Sequence, residues 1–211
     1  LTMKKLQQLL FSFLLLFTII SCKKEEVVTD NYVPIVFVHG LYGCGDSYTQ
    51  LIQYFRANGY PESKLFTYDW NTLDFQNAPK NTKPLDDFIK EVKIKTGYDK
   101  VNIVGHSLGG NLSFNYCSKT EYAANINRLA WLVPYLPDRS DIPSEYVPTL
   151  NIRTNTDFVV EDTSAIPNAI NVVIPDKDHN EIAACEESFI ELFKFFNDGK
   201  IQTLEKIDVP F

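Results

Sequence analysis

The sequence predicts an α/β protein with about six mainly parallel strands flanked by helices, and three observations carry that expectation. From Val33 onward, short apolar runs alternate with stretches of helical periodicity, as a parallel sheet with crossover helices requires. No internal repeat or low-complexity block interrupts the alternation. With 211 residues, of which 45% are hydrophobic and 13% aromatic, the chain is able to bury the core of one domain.

The elements follow in order. Residues 33–38 form a β-rich run that ends in His39-Gly40. After a glycine-containing loop, Ser47 with Gln50 three residues on suggests a capping box, and Leu51, Ile52 and Phe55 supply an apolar helix face as far as Asn58-Gly59. Residues 64–68 read as a second strand. Pro84 then opens a helix carrying Leu85, Phe88, Ile89 and Val92, which Gly97 stops. Residues 101–104 are a third strand, and the helix after it is expected from Leu112 to Cys117. Three more strands are expected at 129–133, 149–153 and 170–174, and an amphipathic helix at 186–197 closes the pattern. The Pro-rich stretch 134–148 is the one long irregular connection, and loops of that kind are often functional.

Charge and cysteine content exclude several classes. Lys and Arg number 20 against 27 Asp and Glu, a net charge of −7, and no basic run outside the N-terminus makes a phosphate-tracking stripe, so no nucleic-acid partner is expected. The four cysteines lack metal-ligand spacing and are too few for a disulfide scaffold, so no metal is expected. Cys44, Cys117 and Cys185 are expected to be buried and inert, with a reactive thiol the alternative for Cys44 near the loop after the first strand.

The N-terminus has the pattern of an export signal. Met3 is the sole methionine, and translation is expected to begin there; Lys4 and Lys5 precede an apolar run at 9–20 and then Ser21-Cys22. That run is short of the roughly 20 apolar residues a spanning helix needs. A small residue directly before a cysteine resembles the lipobox of bacterial lipoproteins, although Ile19 and Ile20 depart from its usual consensus. Residues 1–21 are therefore expected to be a signal peptide, Cys22 a lipid attachment site, 22–31 a tether and 32–211 the folded domain. Such a protein would be exported and held at a membrane by acylated Cys22.

Two motifs carry chemistry. Gly105-His106-Ser107-Leu108-Gly109 is a G-x-S-x-G between a strand and a helix, where a tight turn exposes the serine at the carboxyl edge of the sheet. The alternative is a glycine-rich turn whose serine merely caps the helix. His39-Gly40-Leu41-Tyr42-Gly43 follows the first strand. Acyl transfer places negative charge on a carbonyl oxygen, which needs two preorganised N–H donors; those of Leu108 and Leu41 are the candidates.

A serine nucleophile needs a base, and the chain has three histidines. His39 lies in the loop motif, and His106 precedes the serine and is expected to point away on the same turn. His179 remains, in the loop before the last helix. For the orienting carboxylate, Asp157, Glu161, Asp162, Asp176 and Asp178 are all available late in the chain. Asp157 fits best, past the fifth strand and the turn-forming Asn155-Thr156; Glu161 and Asp162 are fallbacks, and Asp178, adjacent to His179, is read as a loop charge. Among aromatics, Tyr42, Trp70, Phe75, Tyr135 and Phe158 fall at strand ends or in loops on the same side, with Tyr42 and Tyr135 taken as substrate-binding.

The order His-Gly-x-x-Gly, Gly-His-Ser-x-Gly, Asp157, His179 resembles the α/β-hydrolase superfamily, and within it the small, lidless secreted bacterial lipases and esterases, over 33–196. The resemblance implies a single α/β-hydrolase domain with no cap. It implies Ser107 as nucleophile, His179 as base and then acid, Asp157 as its orienter, and Leu41 and Leu108 as oxyanion donors. Pro134-Tyr135-Leu136-Pro137 departs from the small-residue turn such lipases often carry there. The expected activity is cleavage of a small ester or lipid substrate through an acyl-serine, without cofactor, by a monomer. Amidase, thioesterase or acyltransferase chemistry on the same triad is one rival, and a surface lipoprotein that binds without turnover is another.

Overall fold

The computed structural model describes residues 32–74, 76–136, 147–160 and 165–199. The signal segment, Cys22 and the tether, Phe75, Glu161, Asp162 and most of the Pro-rich connection lie outside them.

Six strands form one sheet: β1 (Ile35–Val38), β2 (Leu65–Tyr68), β3 (Val101–His106), β4 (Ile126–Leu132), β5 (Thr149–Arg153) and β6 (Ile170–Val173). Their spatial order is β2-β1-β3-β4-β5-β6, and every neighbouring pair is parallel. The helices are α1 (Thr49–Ala57), α2 (Lys83–Thr96), α3 (Leu108–Cys117), the short α4 (Thr120–Ala123) and α5 (Glu186–Phe196).

A sheet with both faces covered needs strands that are apolar on both sides, and this one has them. Ile35 and Phe37, Val104, Ala130 and Leu132, and Leu150 and Ile152 point to one face, where Leu51 and Phe55 of α1 meet Phe189, Leu192, Phe193 and Phe196 of α5. The alternate residues Val36 and Val38, Ile103, and Leu129 and Trp131 point to the other, against Leu85, Ile89 and Val92 of α2 and Leu112 and Tyr116 of α3. Burying a side chain of this size contributes about 1.5–3 kcal/mol, so the two clusters together dominate folding. Between α2 and α3 the buried Asp86 carboxylate accepts hydrogen bonds from Lys90 Nζ (2.5 Å) and from the Tyr116 hydroxyl (3.1 Å). No separate cap domain is evident among the described residues.

Some expected boundaries move. The helix after β3 begins at Leu108 rather than Leu112, because the serine turn itself is its first cap. The fourth strand starts at Ile126, where Val101 N–H donates to Asn125 O just ahead of it. Ser47 does not cap α1: it is the third residue of a 3₁₀ turn at Gly45–Tyr48, where its hydroxyl accepts a 3.4 Å hydrogen bond from Cys44 N–H. Short turns at Glu62–Lys64, Ala78–Lys80 and Glu181–Ala183, like α4, are too brief to show a period in the sequence.

Candidate active site

The turn between β3 and α3 holds Ser107 at φ 52°, ψ −119°, a conformation costly for a residue with a side chain, by about 1–3 kcal/mol. The surroundings impose it. Ser107 N–H donates to Leu132 O at the end of β4 (3.0 Å), and Ser107 O accepts from Gly110 N–H (2.9 Å) and Tyr135 N–H (3.0 Å). Leu132 and Tyr135 thus clamp the turn from the β4 side, and Val133 between them sits at φ 42°. Leu136 is buried beside the α2/α3 cluster. Ser107 holds the N-cap position of α3, but its hydroxyl makes no capping hydrogen bond there and so is not spent on the helix.

β5 and β6 deliver the other two residues. Asp157 lies beyond β5, with its side chain fully buried, and its Oδ1 accepts from Val159 N–H (2.7 Å) and Val160 N–H (2.9 Å). The other oxygen, Oδ2, accepts from His179 Nδ1 at 2.7 Å. That bond fixes the tautomer: with the proton on Nδ1, Nε2 carries a free lone pair. Asp157 and His179 are therefore brought together, while Ser107 Oγ has no hydrogen-bond partner among the described residues.

The loop bearing His179 is held by side chains to which the sequence assigns no such part. The hydroxyls of Thr154 and Thr156 both donate to Lys177 O, at 2.8 and 2.6 Å. Asp178, read as a loop charge, accepts from the amides of Asn180 and Glu181 (2.8 Å each) while Glu181 accepts from Asp178 N–H at 2.8 Å. A D-x-x-E spacing is the reciprocal capping signature, and Asp178-His179-Asn180-Glu181 carries it.

At the other side of the serine, Gly40 O accepts from Gly43 N–H (3.1 Å) to close a turn, with Tyr42 at φ 57°. Tyr42 N–H donates to Thr72 Oγ1 (3.0 Å). His39 is buried and structural: its Nδ1 donates to Gly40 O (2.9 Å) and its Nε2 accepts from Trp70 N–H (3.3 Å). Neither the Leu41 nor the Leu108 amide is taken up by a loop or cap hydrogen bond of the described residues.

The chain is similar to known proteins in part of its sequence and in its fold. A family model described as Lipase (class 2) matches residues 32–121. Among solved structures, a lipase of Bacillus licheniformis in its mature form superposes with TM-score 0.63 at 17% identity, over 78% of this chain and 92% of the lipase. An α/β hydrolase enzyme from a lagoon-sediment metagenome gives TM-score 0.58 at 20% identity, over 79% of this chain and 91% of that one. A protein of Thermoplasma acidophilum described as a predicted CIB-like hydrolase gives 0.59 at 17% identity, over 79% and 86%. The chain has the α/β-hydrolase fold.

In this α/β-hydrolase frame, His106 differs from expectation. It does not point away from the base. Its Nε2 donates to the main-chain carbonyl of His179 at 2.7 Å, and the two imidazoles lie 4.8 Å apart between centroids. Burial, then the neighbouring His179, push its pKa down to about 4. Burial raises Asp157, but the hydrogen bonds from His179 and from the Val160 and Val159 amides outweigh it and leave the carboxyl below its usual range.

The sign for stability follows. An unfolded histidine titrates near 6.5 and folded His106 near 4, so between those values the unfolded chain binds more protons. Stability contributed by neutral His106 is full above pH 6.5 and about 3 kcal/mol of it is lost as the pH falls to about 4. Asp157 adds a loss of the same sign at lower pH. The urea midpoint is expected to fall more steeply over that window in wild type than in His106→Gln; parallel curves would contradict the assignment.

The aromatics divide. Tyr42 and Tyr135 are exposed on the loops after β1 and β4, and Phe158 is 91% exposed beyond β5. Trp70 lines a cavity of about 430 Å³ in which Tyr68, Pro84 and Leu112 stand beside the polar Asp69, Asn71 and Asp74. Cys44 is exposed rather than buried, because its turn lies on the surface above β2; Cys117 is buried, and burial raises its thiol. Cys185 is half-buried and donates to Ser188 Oγ at 3.2 Å.

Proposed function

We propose that this protein is a serine hydrolase that cleaves carboxylic esters through an acyl-serine intermediate. The observation that carries the reading is the 2.7 Å contact from His179 Nδ1 to Asp157 Oδ2, on loops beside a Ser107 held in a strained turn. His179 Nε2 takes the Ser107 Oγ proton as the oxygen attacks the ester carbonyl. The Leu41 and Leu108 amides then hold the tetrahedral oxyanion. His179 returns the proton to the leaving alcohol and afterwards activates a water that releases the acid. Asp157 stays ionised throughout and stabilises the imidazolium. Tyr42 and Tyr135, exposed on the loops after β1 and β4, are proposed to contact the substrate.

The test is intact-mass labelling with a fluorophosphonate, alongside a panel of p-nitrophenyl esters and the matching anilides. One adduct is expected on wild type and none on Ser107→Ala, with turnover of the esters. No adduct on folded wild type, or turnover of anilides alone, would overturn the proposal.

A further inference from the structure

The residue before the nucleophile has no role in the steps above, yet it is among the most constrained polar groups of the site. His106 is the last residue of β3 and is 7% exposed. It contacts the base at two points: Nε2–H donates to His179 O at 2.7 Å, and its ring lies at 46° to the His179 ring with centroids 4.8 Å apart. His179 is thereby held at both ends. Asp157 fixes the imidazole through Nδ1, and His106 fixes the main chain from which that imidazole hangs.

We propose that His106 is a positioning residue, a neutral Nε2–H donor that ties the His179 main chain to the end of β3 and so sets where His179 Nε2 stands relative to Ser107. The inference rests on the proposed hydrolase reading for its kinetic consequence. β3 carries both the nucleophile and this anchor as consecutive residues, so the base is referenced to the strand that bears the serine. Without the anchor, the loop from Lys177 to His179 keeps its ties to the β5 side, through Thr154, Thr156 and Asp157, and to α5, through the 3.3 Å pair of Lys177 Nζ with Glu187 Oε1, but these refer the base to β5 and α5 and not to the strand that bears the serine. A base displaced by about 1 Å costs on the order of 100-fold in rate.

The requirement is for a donor. A carbonyl oxygen only accepts, so His106 must carry its proton on Nε2, and its own Nδ1 is then unprotonated. Two substitutions separate donor from ring. His106→Phe keeps a ring against His179 and removes the N–H. His106→Gln keeps a donor near the Nε2 position and removes the ring.

The experiment measures fluorophosphonate labelling rates and ester kcat and KM for wild type, His106→Phe and His106→Gln, with imidazole NMR on each. His106→Phe is expected to label about 100-fold more slowly, with kcat lowered and KM little changed, and His106→Gln to recover most of the rate. NMR of the wild type is expected to show the His106 proton on Nε2, and the His179 Nδ1–H signal is expected to be sharp in wild type and His106→Gln and lost in His106→Phe. Wild-type labelling in His106→Phe, equal impairment of both variants, or an Nδ1–H tautomer at His106 would each overturn the proposal. The NMR signals need no turnover, so they decide the positioning role even where the fluorophosphonate leaves wild type unlabelled and the hydrolase reading fails.

Discussion

Asp157→Asn is expected to lower kcat for ester hydrolysis by about 10⁴-fold with the fold intact. The direction of the amide is dictated by the site. Oδ1 accepts two main-chain N–H bonds, from Val159 and Val160, at 2.7 and 2.9 Å. An asparagine must keep its carbonyl oxygen there, since an NH₂ would face two donors. Its NH₂ then faces His179 Nδ1, which must become an acceptor and move the imidazole proton to Nε2. That nitrogen no longer accepts the Ser107 proton. Asp157→Ala, which leaves the two amides unpaired, is expected to lose activity and also stability, by about 1–3 kcal/mol. Single-turnover acylation at several pH values is the measurement. An Asp157→Asn enzyme within tenfold of wild type would show that the carboxylate does not orient the base.

Gly109→Ala is expected to cost about 4 kcal/mol or more, read from the denaturant midpoint, a large share of the roughly 5–15 kcal/mol by which folded proteins are stable. A Cβ at 109 would stand 2.0 Å from Val38 O and 2.5 Å from His39 O. Both are main-chain atoms of β1 and the loop after it, so neither is able to swing aside. Relief requires α3 to lift from β1, which breaks the Ser107 turn as well as the packing. A Cβ at 110 instead meets Pro134 Cβ at 2.6 Å and Cα at 3.0 Å, on a connection between elements. Gly110→Ala should therefore be the milder change, with function lost before fold because Tyr135 N–H holds Ser107 O from that same connection. A Gly109→Ala protein within 1 kcal/mol of wild type would refute the close approach.

Much of this was legible in the sequence, for reasons that differ by residue. The six strands stand out because both faces of a parallel sheet are covered: Ile35-Val36-Phe37-Val38 is apolar without a break, and Pro84 and Gly97 punctuate α2 as its first turn and left-handed end require. His179 is legible because the chain has only three histidines, whereas Asp157 has four rival carboxylates and stands out by its place past the fifth strand. What escaped was everything set by main-chain acceptors. The part of His106 is not legible because a carbonyl partner 73 positions away leaves no mark on composition or period. The contributions of Thr154 and Thr156 are of the same kind, since each donates to Lys177 O. Ser47 was misread because a 3₁₀ turn ahead of α1 displaces the cap, and S-x-x-Q looks the same in either frame.

The exposed Leu41 side chain has an evolutionary consequence. It is 43% exposed, and Tyr42 beside it 77%, while the amide of Leu41 is the group proposed to do chemistry. Whatever side chain residue 41 carries, the amide stays, provided the backbone is not proline. Selection on substrate shape and selection on charge stabilisation therefore act on different atoms of one residue and need not conflict. A lineage of such proteins is free to drift at position 41 and explore new substrates while its catalytic apparatus is inherited unchanged.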